Sequence, residues 1–212
     1  MFVSDWMTKA VFTVTPESSV SDALHLMKEK RVKHLPVVKD GGLAGMISDR
    51  DVRAYSPSKA TTLDVYEVHY LLAKAKVAEA MTRAAVTAQP DTPVEEAARL
   101  MLEKNVGALP VLEGDVLVGI ISDRDIFRAL VDISGVRHGG HRICVLLEDR
   151  PGSIRDVTDI ARKHGFHIQG LLTSYEGVPA GKRRVVVRTS AEGDFEALKA
   201  DLARLSAEVL VQ

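Results

Sequence analysis

Residues 4–55 of this 212-residue chain lie on residues 78–129 without a gap, at an offset of 74, with 22 identities in 52 pairs. Met7-Thr8 matches Met81-Thr82, Pro16 matches Pro90, and Leu35-Pro36-Val37 matches Leu109-Pro110-Val111. Ser48-Asp49-Arg50-Asp51 returns unchanged as Ser122-Asp123-Arg124-Asp125. Two like segments must fold alike and bury the same positions. Two copies alone make a pseudo-symmetric pair of units and not a solenoid.

Each copy predicts the same elements. Thr92-Pro93-Val94-Glu95 reads as a helix start, with a capping Thr, Pro at the first helical position and Glu three residues past the cap. Val94, Ala97, Ala98 and Met101 then fall on one helix face, as do Val20, Ala23, Leu24 and Met27 in the first copy. Two short apolar strands follow, Leu35–Val38 and Leu43–Ile47, around the turn Asp40-Gly41-Gly42. Glu113-Gly114-Asp115 is the turn of the second copy. A further helix begins at Ser48 or Ser122 in each.

The Met-Thr near each start, the Leu-Pro-Val strands, Gly45 and Gly119, and the two Ser-Asp-Arg-Asp segments resemble the CBS domain, whose tandem pair forms a Bateman module. The resemblance spans roughly residues 1–133, with one unit over 1–56 and the other over 78–133. Residues 57–77 lie between them as a linker helix, opened by the turn-prone Ser56-Pro57-Ser58 and carrying Val68, Leu71, Leu72 and Ala75 on one face. That helix either packs on the module or forms a lid over bound ligand.

Ser134–Gly140 is Gly-rich and breaks the periodicity, which marks a second linker over 134–140. Beyond it, over 141–212, strands are expected at Arg142–Leu147, Phe166–Ser174, Arg183–Thr189 and Val209–Val211. Helices carry Ile154, Val157 and Ala161, and then Phe195, Leu198, Leu202 and Leu205. The order βαββαβ predicts a ferredoxin-like plait. Asp149-Arg150-Pro151-Gly152-Ser153-Ile154 and Gly165-Phe166-His167-Ile168 resemble the ACT domain, a small amino-acid-sensing module. The expected fold class is therefore α/β: two pseudo-symmetric CBS units forming a Bateman module, followed by an ACT domain. This order is similar to bacterial acetoin-utilisation proteins of the AcuB type.

Ser48-x-x-Asp51 and Ser122-x-x-Asp125 are helix capping boxes on their spacing. The resemblance implies a second role at a cleft: the Asp accepts ribose hydroxyls and the Ser donates to phosphate, beside a helix N-terminus that favours an anion. Arg50 and Arg124 either bond phosphate or remain solvated surface or ion-paired groups. Lys33 and His34 become Gly107 and Ala108 in the second copy, so the two clefts should differ in charge. Thr13 and Thr87 offer polar contacts to an adenine edge, and Pro36 and Pro110 a wall for the base, with plain packing as the alternative for each. In the ACT-like unit, Asp149, Gly152, Ser153 and His167 form the small-ligand candidate. Asn often stands in that family where this chain has His167, so the unit is expected to act in association and not as a strong amino-acid receptor.

Little supports catalysis. His25, His34, His69, His138, His141, His164 and His167 show no metal-type spacing, and no metal site is expected. Cys144 sits in an alternating strand as a buried thiol, and as the only cysteine it excludes a disulfide framework. No nucleophile-elbow or phosphate-loop motif is present. A net charge of −1 with a pI near 6.7 gives no electrostatic footprint for nucleic acid. No apolar run reaches the roughly 20 residues that span a bilayer, and no signal-like start precedes Trp6. The expectation is a cytoplasmic, non-catalytic regulator that senses AMP, ADP, ATP or S-adenosylmethionine through its CBS pair, in acetoin or central carbon metabolism. It would work as a homodimer with a regulated enzyme partner, without nucleic acid or membrane. The alternatives are a two-signal sensor that also binds an amino acid, a nucleic-acid-binding regulator and a nucleotide-hydrolysing enzyme.

Overall fold

Each copy of the repeat folds as a one-turn leading helix and two longer helices around an antiparallel hairpin. The first holds α1 (Val3–Trp6), α2 (Val20–Lys30), β1 (His34–Lys39), β2 (Gly42–Ser48) and α3 (Asp49–Tyr55). The second holds α4 (Val77–Ala80), α5 (Val94–Lys104), β3 (Ala108–Glu113), β4 (Val116–Ser122) and α6 (Asp123–Ile133). This computed structural model describes residues 1–55, 71–205 and the strand Val209–Val211, in two compact units, Met1–Phe127 and Arg128–Gln212.

The local chemistry sets these elements. In the first hairpin Asp40 and Gly41 both take positive φ, 51° and 82°, the pair of left-handed conformations that matches the twist of a two-residue turn. Both hairpins shift register at the same place, between Val37 and Val38 and between Val111 and Leu112. Ser19 caps α2, its Oγ accepting from Asp22 N at 2.9 Å. The expected cap at Thr92 is corrected. Pro93 occupies the cap position of α5 and has no side-chain acceptor to offer, while Thr92 Oγ1 accepts from Gln89 N at 2.9 Å. That bond stitches the preceding turn, as Ser18 does with Thr15 N in the first copy.

The two copies exchange their leading segments. Val3 N and Ser4 N donate to the carbonyls of Thr92 and Pro90, and Thr8 pairs with Ile120 in both directions. The counterpart bonds lie 74 residues away: Val77 N to Ser18 O, Ala78 N to Pro16 O, and Thr82 with Met46. The cores follow. Val3, fully buried, packs with Ala97, Leu109, Val111 and Ile121 of the second copy. Val77 packs with Ala23, Leu35, Val37 and Ile47 of the first.

Of the linker expected over 57–77, residues 56–70, with Val68 and the Ser56-Pro57-Ser58 opening, lie outside the described residues. Residues 71–74 are helical. Leu72 and Ala75 are buried in the first core, but Leu71 is 46% exposed and does not share their face.

The unit Arg128–Gln212 carries β5 (Arg142–Glu148), α7 (Ser153–Lys163), β6 (Ile168–Ser174), β7 (Lys182–Thr189), α8 (Phe195–Leu205) and β8 (Val209–Val211). The four strands pair antiparallel in the order β6-β7-β5-β8, the expected βαββαβ plait. Ile143, Val145, Val185 and Val187 point to one face and meet Val157 and Ala161 of α7 and Leu198 and Leu202 of α8. Cys144, on the alternate face, is buried.

The exchange demands close backbone approach at two glycines. A Cβ on Gly45 would overlap the Thr82 carbonyl oxygen, which is fixed in the ladder with Met46. A Cβ on Gly119 would meet the Met7 sulfur, the end of a flexible side chain. Gly45→Ala should therefore cost about 2–3 kcal/mol and Gly119→Ala about 1 kcal/mol or less. Chemical denaturation of the two variants checks this, and equal losses would contradict the asymmetry.

Candidate functional site

The hairpins place the start of α3 and of α6 beside the first residues of β1 and β3. Asp49 N donates to Lys33 O at 2.9 Å, and Asp123 N donates to Gly107 O at 3.0 Å. Ser48 faces His34 across the first ladder, and Ser122 faces Ala108 across the second. A short extended segment runs along the other side of each hairpin. Val14 N donates to Pro36 O and Ala88 N to Pro110 O, which sets Thr13 and Thr87 next to the two prolines.

The capping box of α3 forms in full, and at α6 the aspartate half of the box is present. Asp51 Oδ2 accepts from Ser48 N at 2.7 Å and from Ser48 Oγ at 2.6 Å, and Ser48 Oγ accepts from Asp51 N at 3.2 Å. Asp125 Oδ2 accepts from Ser122 N at 3.0 Å and from Ser122 Oγ at 2.7 Å. The two aspartates differ in access: Asp51 is half-buried, whereas Asp125 is buried at 7% exposure. Among the described residues no bond is made to Asp51 Oδ1.

The structure thus gathers Thr13, Pro36, His34, Ser48 and Asp51 around one hairpin and Thr87, Pro110, Ser122 and Asp125 around the other. Pro36 and Pro110 are buried, Thr87 is half-buried and Thr13 is exposed. Lys33, Arg50 and Arg124 are exposed. Neither Arg50 nor Arg124 has a side-chain partner among the described residues, which leaves both guanidinium groups open to an external anion.

His34 takes a position that spacing did not reveal. Its imidazole crosses to the second copy and fills the room left by the missing side chain at Gly107, where a Cβ would stand 3.0 Å from Cε1 and Nε2. Burial pushes its pKa below the ordinary value, while the nearby carboxylates of Asp123, Asp49 and Asp51 pull the other way. The Lys33-His34 to Gly107-Ala108 difference therefore builds a seam between the copies with a neutral imidazole among three acidic groups.

In the second unit the four small-ligand candidates do not form one site. Asp149, Gly152 and Ser153 lie in the turn after β5, where Gly152 takes φ +87° at the start of α7. His167 precedes β6, which runs parallel to β5, so it stands at the opposite end of the sheet, about 20 Å away by strand rise. Its backbone instead ties to Ser190, with His167 N donating to Ser190 Oγ at 3.1 Å. Strand direction, and not the family pattern, decides which of these residues meet. Arg183, missed in the sequence, joins the turn: its Nη2 donates to the buried Ser153 Oγ at 2.7 Å, and its Nε lies 3.7 Å from Asp149 Oδ1. Strand alternation placing residue 183 on the face of Val185 was the available signal.

Among the described residues no cluster of three or more His, Cys, Asp or Glu side chains is arranged to hold a metal ion, and no helix is long and apolar enough to cross a membrane.

The CBS domain family model matches residues 3–58 and again 77–132. A putative acetoin utilization protein (AcuB) from Vibrio cholerae is similar in structure, with a TM-score of 0.53 and 29% identity, over 65% of this chain and 95% of that one. The protein CBSX2 in complex with AMP gives a TM-score of 0.51 and 34% identity over 62% of this chain and 97% of that one. The CBS domain pair of protein MJ0100, in complex with 5′-methylthioadenosine and S-adenosyl-L-methionine, gives 0.52 and 27% over 61% and 95%. Among curated relatives, the homoserine O-acetyltransferase of Methanohalobium evestigatum is 33% identical over 131 residues, which are 61% of this chain and 24% of that enzyme.

The seam predicts a pH dependence. Because the pKa of folded His34 lies below its ordinary value of 6.5, the neutral imidazole contributes stability that is complete above the unfolded pKa and is lost as pH falls through the lowered folded value. Melting temperature should fall as pH drops below the ordinary histidine value of 6.5, and His34→Gln should flatten that fall. An unchanged slope in the variant would remove His34 from the account.

Proposed function

We propose a ligand-sensing role for this chain, which belongs to the CBS-domain family: a non-catalytic regulator whose CBS pair binds an adenine nucleotide or adenosyl compound. The observation that carries this reading is the pair of Ser-x-x-Asp helix starts beside Thr13 and Thr87, with Asp51 Oδ1 unbonded among the described residues. A ribose places two hydroxyl donors within reach of one carboxylate, and the N–H groups at the start of α3 suit a phosphate. Arg50 and Arg124 stand exposed for the same anion. AMP in the CBSX2 structure, and 5′-methylthioadenosine and S-adenosylmethionine in the MJ0100 pair, support this ligand class.

In this reading residues 1–133 form the sensor and 141–212 form an ACT-type unit that carries the signal through association of two chains. The likeness to the acetoin utilization protein of Vibrio cholerae supports acetoin or central carbon metabolism as the context, and a regulated enzyme is the proposed partner. The protein works in the cytoplasm. Ligand biases association only as far as it binds the two arrangements unequally.

Calorimetric titration with AMP, ATP and S-adenosylmethionine tests the site. Asp51→Ala removes a charge-assisted acceptor and should weaken binding about 30- to 150-fold, or roughly 2–3 kcal/mol. Asp125→Ala, at the buried position, should lower stability as well as affinity. Parent-like binding in both variants would reduce the aspartates to caps. Light scattering should give a particle near twice the 23.1 kDa chain mass, and a monomer at micromolar concentration would remove the association step.

A further inference from the structure

The plait unit has a second face that neither its core nor the nucleotide reading uses. On β5 and β7 the residues alternating with the core, Arg142, Cys144, Arg184, Val186 and Arg188, point away from α7 and α8. The end of α6 and the turn after it cover part of this face. Contact is close at Gly170 of β6, where a Cβ would stand 2.7 Å from the backbone of Ser134. Beside this contact runs a groove of about 370 Å³ between Leu130, Val131 and Val136 on one side and Leu172 and Val186 on the other. That volume lies within the range of about 300–1,000 Å³ usual for small-molecule sites.

Two cations line the same groove. Arg142 and Arg188 are direct partners across the β5–β7 ladder. Directly opposed side chains have Cβ atoms about 5 Å apart, and like charges so placed repel. Among the described residues neither guanidinium meets a carboxylate. Arg142 has no side-chain partner among those residues, and Arg188 makes one long bond from Nη1 to Gly139 O at 3.4 Å. An apolar trough with an uncompensated pair of guanidinium groups fits an occupant with an apolar body and one anionic end.

We propose that this groove binds a small aliphatic carboxylate, its tail between α6 and the sheet and its carboxylate bridging Arg142 and Arg188. The anion removes the repulsion between the arginines and accepts two charge-assisted bonds in planar geometry. The tail covers Leu130 and Val136, which are otherwise 49% and 46% exposed. A second copy of the chain suits the groove less well, because a two-fold axis through it would set these arginines against their own copies. A phosphate-rich ligand suits it less well too, since the walls offer it no further donors.

Titration of the full chain with octanoate, octanol and acetate tests this by calorimetry. Octanoate should bind saturably, with octanol and acetate each at least about ten-fold weaker. Arg142→Gln and Arg188→Gln should each weaken octanoate about ten-fold or more while leaving AMP binding at its parent value. Leu172→Trp should block the groove and abolish octanoate binding, with circular dichroism confirming the fold. If Arg188→Gln disturbs the Gly139 turn, Arg142→Gln alone decides. Equal binding of octanol and octanoate, unchanged affinity in the Arg142 variant, or no saturable octanoate binding would each overturn the proposal.

Discussion

The reciprocal exchange of leading segments is the interaction on which the first unit depends. Val3 is fully buried in the core of the second copy and Val77 in that of the first, so neither hairpin completes its core without the other copy's segment. A two-stranded hairpin alone is marginal in water, and a single helix does not cover both of its edges. The exchange supplies a backbone ladder on one edge, Met46 with Thr82 and Ile120 with Thr8. On the other edge Val14 and Ala88 run parallel to Val37 and Val111. Each hairpin is thereby flanked on both sides, and the two copies become one cooperative body.

That arrangement also sets the chemistry at the seam. Because the copies are locked in register, the starts of α3 and α6 converge on His34, and Asp49, Asp51 and Asp123 bear on one imidazole. The ring sits where Gly107 leaves room, so a difference of one side chain between the repeats decides what occupies the junction. The symmetry of the backbone is thus combined with an asymmetry of charge. Asp51 is open at one carboxylate oxygen among the described residues, while Asp125 is buried. Two clefts built from one pattern need not take the same ligand or take it equally well.

Much of the fold was legible in the sequence because burial follows periodicity. Val20, Ala23 and Met27, and Val94, Ala97 and Met101, read as helix faces and are the buried residues of α2 and α5. The hairpins and the βαββαβ order were equally plain, since turn residues and alternation fix them locally. What escaped reading was long-range or competitive. The identical Met-Thr pairs carry no sign of which hairpin each joins. Thr92 has the spacing of a cap, but Pro93 takes that position and the hydroxyl turns back to Gln89. His167 follows a family pattern, yet strand direction puts it a full strand length from Asp149. Arg183 lay in a run of basic residues, Lys182 to Arg184, where only alternation separates the side chain under α7 from its neighbours.

The Ser-Asp pairs show why a helix cap and a ligand contact can share residues. Ser48 N and Oγ both donate to a single oxygen of Asp51, so the cap is complete with the second oxygen still open to another donor. A ribose hydroxyl bonded there adds to the cap and does not displace it. The cap itself is worth about 0.5–2 kcal/mol and a bond to the charged carboxylate about 1.5–3 kcal/mol. In the proposed reading, a ligand bound at this position would reinforce the start of α3, and through Asp49 N and the Lys33 carbonyl it would reinforce the edge of β1 that carries His34. A phosphate near that seam would favour the imidazolium, which burial disfavours in its absence. On that reading, occupancy of the cleft and the charge on His34 would be linked quantities, each changing the free energy of the other by way of the junction that holds the two copies together.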